Sequence, residues 1–301
     1  MCAMANPEIV NSIPESELIL NSDGSVYHLR LRPEQLASTV ILVGDPGRVE
    51  QVSSMFDRVD ERIHHREFIT HTGEYQGKRL SCVATGIGTD NVDIVLNELD
   101  ALVNVDLDSR MPKTNTASLD LVRIGTTGAL HADIDVGTWI ASEWAIGLDG
   151  LMNWYGHPDS DEALEMVENF IRTANYPNTF ARPYAVKASN DLMNRLRSKT
   201  LSGITLTSPG FYAPQGRKLR LNPSNLDLND RMARFEFQGL RTTNFEMETS
   251  GLYGLGSALG HRCASICMVM ANRSEKKINP SPKQSMSNLI GYVLDSMTQK
   301  A

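Results

Sequence analysis

Apolar residues fall along this chain in two periods, and the alternation of those periods predicts the fold. Short runs rich in β-branched and aliphatic residues occupy 38–43, 79–85, 119–125, 137–145, 203–207 and 263–271. Runs of this length, closed by turn residues, are the mark of buried strands. Between them the apolar positions recur every three to four residues. In 89–104, Val92, Ile94, Val95, Leu96, Leu99 and Leu102 build one face of a helix. The same period returns at 186–198, 225–236, 248–259 and 282–299. Strands alternating with helices predict an α/β chain, its parallel or mixed sheet covered on both faces.

Two polar stretches, 105–118 and 154–182, read as surface insertions. The second holds Glu162-Ala163-Leu164-Glu165-Met166-Val167, enough for a helix of its own. Residues 1–24 are polar and aperiodic and read as a loose arm, which leaves 25–301 as one domain. The segment Met1–Pro7 lacks a positive region followed by an apolar core, so no signal peptide is expected. No apolar run approaches membrane-spanning length. Cys2, Cys82, Cys263 and Cys267 show no C-x-x-C spacing, and the last two sit in an apolar run as small buried hydrophobes. Together these features predict a cytoplasmic protein.

A formal net charge of −7 argues against nucleic acid as the main partner. An anionic substrate would need arginines clustered locally inside an acidic protein. Three glycine-rich sites offer such places. Gly44-Asp45-Pro46-Gly47-Arg48 follows Ser38–Val43, Thr85–Asn91 follows 79–85, and Arg123-Ile124-Gly125-Thr126-Thr127-Gly128 ends 119–125. If their strands are parallel neighbours, the three turns line one crevice, where exposed backbone donors and arginine forks hold anions. Arg123 lies in a segment suited to burial, so it needs a counter-charge, either an acidic side chain or a bound anion. Arg48 alone reads equally as an exposed helix-start residue. Their joint placement beside glycines and threonines favours an anion. A nucleotide is not the candidate: no glycine loop closes on Gly-Lys-Ser/Thr, and Gly86-Ile87-Gly88-Thr89-Asp90-Asn91 lacks the third glycine of a dinucleotide fingerprint.

Eight segments, taken in order, resemble the nucleoside phosphorylase-I family and within it the uridine phosphorylases. They are Val26–Leu29, Gly44–Val49, His65–Phe68, Ala84–Gly88, Arg123–Gly128, Phe211–Arg217, Phe245–Glu248 and Asn272-Arg273. The resemblance runs from about Val26 to the C-terminus. It implies a mixed, distorted barrel-like sheet flanked by helices. It also implies a pentosyl transfer in which nucleoside and phosphate give free base and ribose 1-phosphate. Phosphate would sit against Gly44, Arg48, Arg123 and Thr126, with Arg66 supplied by a neighbouring subunit. Fixed, charge-assisted donors strip and aim a dianion, which is what such an attack requires. Glu248 would accept from the ribose 2′ and 3′ hydroxyls, beside Met247 and Thr126, with His28 of a neighbouring subunit at the 5′ hydroxyl. A carboxylate suits a diol because it only accepts. Glu246 is the weaker candidate of the pair, a support or a helix cap.

The same resemblance places Gln215 and Arg217 on the uracil edge, with Phe211 flanking the ring and Thr127, Gly128, Met270, Ala271 and Arg273 completing the base pocket. Arg217 would stabilise the departing uracil anion. Arg48, Arg123, Arg217 and Glu248 would carry the catalysis. Purine-specific relatives have an aspartic acid where Asn272 stands, and an amide cannot deliver its proton. Two departures matter. Met270 and Ala271 replace bulkier β-branched residues, from which tolerance of 5-substituted uracils is expected. Asp90 and Asn91 replace smaller residues where, in some relatives, a monovalent cation sits between subunits. That ion, near Glu67, Ile87 and Asn91, stays open. No organic cofactor is expected, phosphate being a co-substrate. Self-association is expected, with a homodimer unit and a hexamer left open. Rival readings are a purine phosphorylase, a nucleosidase using water, and a non-catalytic nucleoside-binding protein. Asn272 argues against the first, Arg48, Arg66 and Arg123 with Asn272 against the second, and those arginines together with Glu248 against the third.

Overall fold

The computed structural model describes residues 12–156 and 158–299. Cys2 and residues 1–11 of the expected arm lie outside the described residues. In chain order come β1 (Thr39–Val43), α1 (Pro46–Ser53), β2 (Arg58–His65), β3 (Phe68–Tyr75), β4 (Lys78–Ala84) and α2 (Thr89–Asn104). A small hairpin of β5 (Val105–Asp106) and β6 (Met111–Pro112) leads to β7 (Asp120–Ala129), β8 (Trp139–Gly147), α3 (Asp161–Ala174) and β9 (Tyr184–Lys187). Then follow α4 (Asn190–Leu196), β10 (Leu201–Thr207), α5 (Leu228–Ala233), β11 (Glu236–Phe237) and β12 (Leu240–Glu246). The chain closes with α6 (Thr249–Ala258), β13 (Arg262–Asn272), β14 (Lys277–Ile278) and α7 (Pro282–Thr298).

Five strands close a ring. β7 pairs with β13 and β13 with β8, then β8 with β10 and β10 with β12, and β12 returns to the far end of β7. From the near end of β7 the sheet continues outward as β1, β4, β3 and β2. One strand therefore serves two sheets. β1 pairs with β7 from Asp120 to Ile124, and β12 pairs with it only at Gly128 and Ala129. On that edge Gly125, Thr126 and Thr127 belong to neither ladder, and there the sheet splits open.

The expected strands and helices are present with three corrections. The run Arg123–Gly128 is not a turn. β7 continues through it to Ala129 because β13 pairs with it the whole way, past a bulge at Val269–Ala271. The helix expected at 186–198 is shorter, since Tyr184–Lys187 pair with β8 as β9 and α4 starts only at Asn190. The helix expected at 225–236 spans only Leu228–Ala233, because the chain then turns Phe235 and Phe237 into the core. The stretch 154–182 is more than a polar excursion. Its helix α3 buries Met166, Val167 and Phe170 in a second apolar cluster with residues of β8, β10 and α5. The main cluster lies between the outer strands and α1, α2, α6 and α7.

Phe170 meets Phe235 edge to face, with ring centroids 5.2 Å apart. Truncating a buried phenylalanine removes its transfer energy and leaves a cavity, which costs about 3–5 kcal/mol. Phe170→Ala is expected to lower unfolding stability by that amount in urea titrations; a loss below about 1 kcal/mol would show that α3 is not a structural wall.

Candidate active site

The site forms where three helix N-termini meet the C-terminal ends of strands. α1 starts after β1, with Asp45 as its cap: the carboxylate accepts from the Gly47 N–H at 2.9 Å, and Pro46 takes the first helical position. α2 starts after β4 at Gly88, and α6 starts after β12 at Glu248. N-terminal ends carry partial positive charge and unpaired N–H groups, so the crevice between them favours anions. Glycine lets the turns close on one another. A Cβ at Gly44 would lie 3.2 Å from the Gly86 carbonyl, and Gly86 itself holds φ +71°.

Arg123 is the centre of the site. It stands on β7, only 4% exposed, as are Glu246 and Glu248. One guanidinium nitrogen bonds the Glu248 carboxylate. The other lies 3.4 Å from Glu246 and 3.0 Å from the Cys267 sulfur. The guanidinium fills the space that a side chain on Gly125 would take: a Cβ there would come within 1.9 Å of Arg123 Nη1. Burial works to lower the pKa of Arg123, and Glu248, Cys267 and Glu246 reverse this and hold it above its usual value. Burial likewise pushes the Glu248 carboxyl up, with Arg123 pulling it down and Glu246 adding to the rise. The Nε of Arg123 is buried without a hydrogen-bond partner among the described residues.

Each carboxylate is held from several sides. Glu248 accepts from the Gly88 N–H at 2.8 Å. Glu246 accepts from the N–H groups of Glu248 and Thr249, both at 2.9 Å, and from the Thr207 hydroxyl at 2.6 Å. It is thus the cap of α6 as well as a neighbour of Arg123. The sequence had marked it only as a support or cap, and nothing in the sequence tied it to the Thr207 hydroxyl. Arg48, on the first turn of α1, donates to the Ile124 carbonyl at 3.2 Å. Its pKa is lowered by burial and then by the charge of Arg123. Two guanidiniums facing one space disfavour each other until an anion lies between them.

These groups line a cavity of about 700 Å³. Gly44, Arg48, Arg123, Thr126, Met247 and Glu248 are among its lining residues. Thr127, Gly128, Phe211, Gln215, Arg217, Met270 and Ala271 also line it. Arg217 donates to the Gln215 side-chain oxygen and to the Phe211 carbonyl, each at 2.6 Å, and lies 3.7 Å from the Phe211 ring centroid. Its pKa is lowered by burial and then by neighbouring Arg273, which is not itself in the lining. Thr127 is tied to β12 through the Phe245 carbonyl and the Asn244 amide. The lining also includes Asp45, Pro46 and Phe245, which lie inside segments the sequence marked but to which it assigned no role of their own.

His28 and Arg66 do not reach this cavity in their own chain. They lie together elsewhere, Arg66 over the Tyr27 ring at 5.0 Å and His28 bonded to Glu98 at 2.7 Å. Glu67, Ile87 and Asn91 do line the cavity, and the Asn91 amide donates to the Ile87 carbonyl at 3.4 Å. That oxygen is met by an amide N–H, a poor arrangement for a cation ligand. Asn272 stays outside the cavity. Its amide donates to the carbonyls of His131 and Ile134 at 2.8 and 2.9 Å. Among the described residues no group of three or more His, Cys, Asp or Glu is placed to hold a metal ion, and no helix is long and apolar enough to cross a membrane.

A family model described as the phosphorylase superfamily matches residues 38–288. The uridine phosphorylase of Thermococcus kodakarensis is 31% identical over 271 residues, covering 88% of this chain and 84% of that one. The uridine phosphorylase of Escherichia coli is 28% identical over 91% of this chain and 98% of its own. A solved Trypanosoma brucei nucleoside phosphorylase, described as showing uridine phosphorylase activity, superposes with a TM-score of 0.83 at 25% identity, covering 93% of this chain and 98% of that one. Matched from β1 into α7, with the paired arginines inside the match, this chain belongs to the phosphorylase superfamily.

Proposed function

We propose that the chain catalyses phosphorolysis of uridine, moving the ribosyl group from uracil to inorganic phosphate. The observation that carries this reading is the facing pair Arg48 and Arg123 in a cavity whose wall also holds Gln215 and Arg217. Phosphate takes the space between the two guanidiniums, which relieves their repulsion and uses charge-assisted donors. Gly44 and Thr126 supply the close wall. Glu248 stands next to that phosphate and takes the ribose hydroxyls, with Met247 against the sugar. A phosphate oxygen then bonds C1′ while the C1′–N1 bond breaks. The bonding pair leaves on uracil, where Arg217 donates to a ring carbonyl oxygen and Gln215 meets the ring edge. Phe211, stacked on Arg217, holds that fork in place.

The pyrimidine reading rests on this Gln215–Arg217 pair and on Asn272, whose amide is spent on backbone carbonyls and is no acid for a purine ring. No step needs a cation or an organic cofactor. His28 and Arg66 sit together outside the cavity of their own chain, which supports a dimer in which each chain completes its neighbour's site. Cys82, Cys263 and Cys267 are buried free thiols, which fits work in the cytoplasm.

Base release measured with and without phosphate tests the chemistry. Uridine and 5-methyluridine are both expected to be cleaved only with phosphate, the latter because Met270 and Ala271 leave room at C5, while inosine is left intact. Arg48→Ala is expected to cut the phosphate-dependent rate by about 100-fold or more, the usual cost of losing one charge-stabilising donor. Cleavage without phosphate, or a near-normal Arg48→Ala, would refute the reading; rejection of 5-methyluridine would refute the open C5 side. Co-expression tests the shared site. Arg66→Ala and Glu248→Gln chains, each inactive alone, are expected to recover about a quarter of wild-type activity as mixed dimers, since half the dimers then carry one intact site. No recovery would place Arg66 outside the neighbour's site.

A further inference from the structure

Behind the wall that carries Phe211, Gln215 and Arg217 lies a second cavity of about 410 Å³. Its chemistry differs from that of the first. Leu148, Pro214, Leu228 and Met232 give it apolar walls, and Tyr176 and Phe180 add two rings 5.8 Å apart, edge to face. Asp149 is the charged residue of the lining, with no lysine or arginine among the described lining residues. A phosphate-bearing ligand would meet repulsion there and no counter-charge.

The polar groups suit a neutral ring instead. Asp149 is fixed from behind by the Tyr184 and Ser250 hydroxyls, each at 2.9 Å, and by the Leu151 N–H at 2.8 Å. A carboxylate has about four lone-pair sites, so one is left for a further N–H donor. Asn229 also lines the cavity, and its amide nitrogen is buried without a hydrogen-bond partner among the described residues. Burial, reinforced by Asp149, pushes the Tyr176 phenol up to about 12, so it stays a neutral donor. Flat apolar faces with a few donors and acceptors on the rim match a nucleobase, which stacks on aromatic rings and presents N–H and carbonyl groups at its edge.

We propose that this cavity is a second site for the free base, uracil, and that its occupancy tunes the phosphorolysis site; this rests on the function proposed above. The two cavities share a wall. Pro209, Ala213 and Pro214 line the second, while Phe211, Gln215 and Arg217 alternate with them to line the first. Asn229 of the second cavity has its amide packed against Gly216, the residue between Gln215 and Arg217. A buried chain of hydrogen bonds joins them again. The Ser250 hydroxyl donates to Asp149, the Ser250 N–H donates to Thr207 at 2.9 Å, and Thr207 donates to Glu246 beside Arg123. A base held at Asp149 and Asn229 therefore presses on the Gln215–Arg217 loop without occupying it.

Equilibrium dialysis of radiolabelled uracil, without phosphate, tests the proposal. Two uracils per chain are expected for the wild type and one for Met232→Trp, whose added ring fills the second cavity. Wild-type crystals soaked in uracil are expected to show one ring at Gln215 and Arg217 and another beside Phe180 and Leu228. The soak decides the matter even where the tryptophan variant fails to fold. One uracil per chain, found only at Gln215 and Arg217, would overturn the second site and leave the phosphorolysis reading standing. Absence of uracil from Gln215 and Arg217 would count against that reading instead.

Discussion

A guanidinium removed from water has to be answered by charge, and Arg123 is answered by two carboxylates at once. Desolvating an ion costs several kcal/mol, and stripping one partner from a buried pair costs about 3–5 kcal/mol. That constraint fixes much of what surrounds it. Glu248 must hold its position, so Gly88 gives it a backbone N–H and the start of α2 stands beside it. Glu246 must hold its own, so the first N–H groups of α6 and the Thr207 hydroxyl converge on it. Three strands and two helices are locked together by the need to satisfy one arginine.

The topology makes room for this arrangement. β7 belongs to the closed ring at one end and to the outer sheet at the other. Where its partners change, Gly125 to Thr127 carry a free edge, and the cavity opens onto that edge. Glycine at 125 leaves space for the Arg123 head group to fold back over its own strand. Under the function proposed above, phosphate beside Arg48 would add negative charge where two positive charges already face each other. It would also compete with Glu248 for Arg123, leaving that carboxylate to accept from the ribose hydroxyls.

Much of this was legible in the sequence because the signals were local. Apolar runs ending in glycine marked β1, β4 and β7, and the arginines next to them marked residues that line one cavity. The Glu246-Met247-Glu248 run showed where strand gives way to helix. Other parts could not be read. β12 is built from Thr242, Thr243, Asn244 and Glu246, polar residues that are all buried, because their side chains bond across the ring. Such a strand has no apolar period to detect. β9 was hidden inside a helical spacing, because pairing with β8 outweighs local preference at Tyr184–Lys187. The turn expected at Arg123–Gly128 is a strand for the same reason: long-range pairing with β13 overrides glycine-rich composition.

Gly125→Ala tests the central role of Arg123 most directly, since it adds one methyl group, alters no charge and touches no substrate. Its Cβ would fall 1.9 Å from Arg123 Nη1, so the guanidinium has to move. Uracil release from uridine should be followed against phosphate concentration, with thermal unfolding of the same sample as the control for folding. If the placement of Arg123 carries the reaction, the folded variant loses about 100-fold or more in kcat/KM for phosphate, the usual price of misplacing a reacting group by about 1 Å. A folded Gly125→Ala protein with an unchanged dependence on phosphate would contradict it.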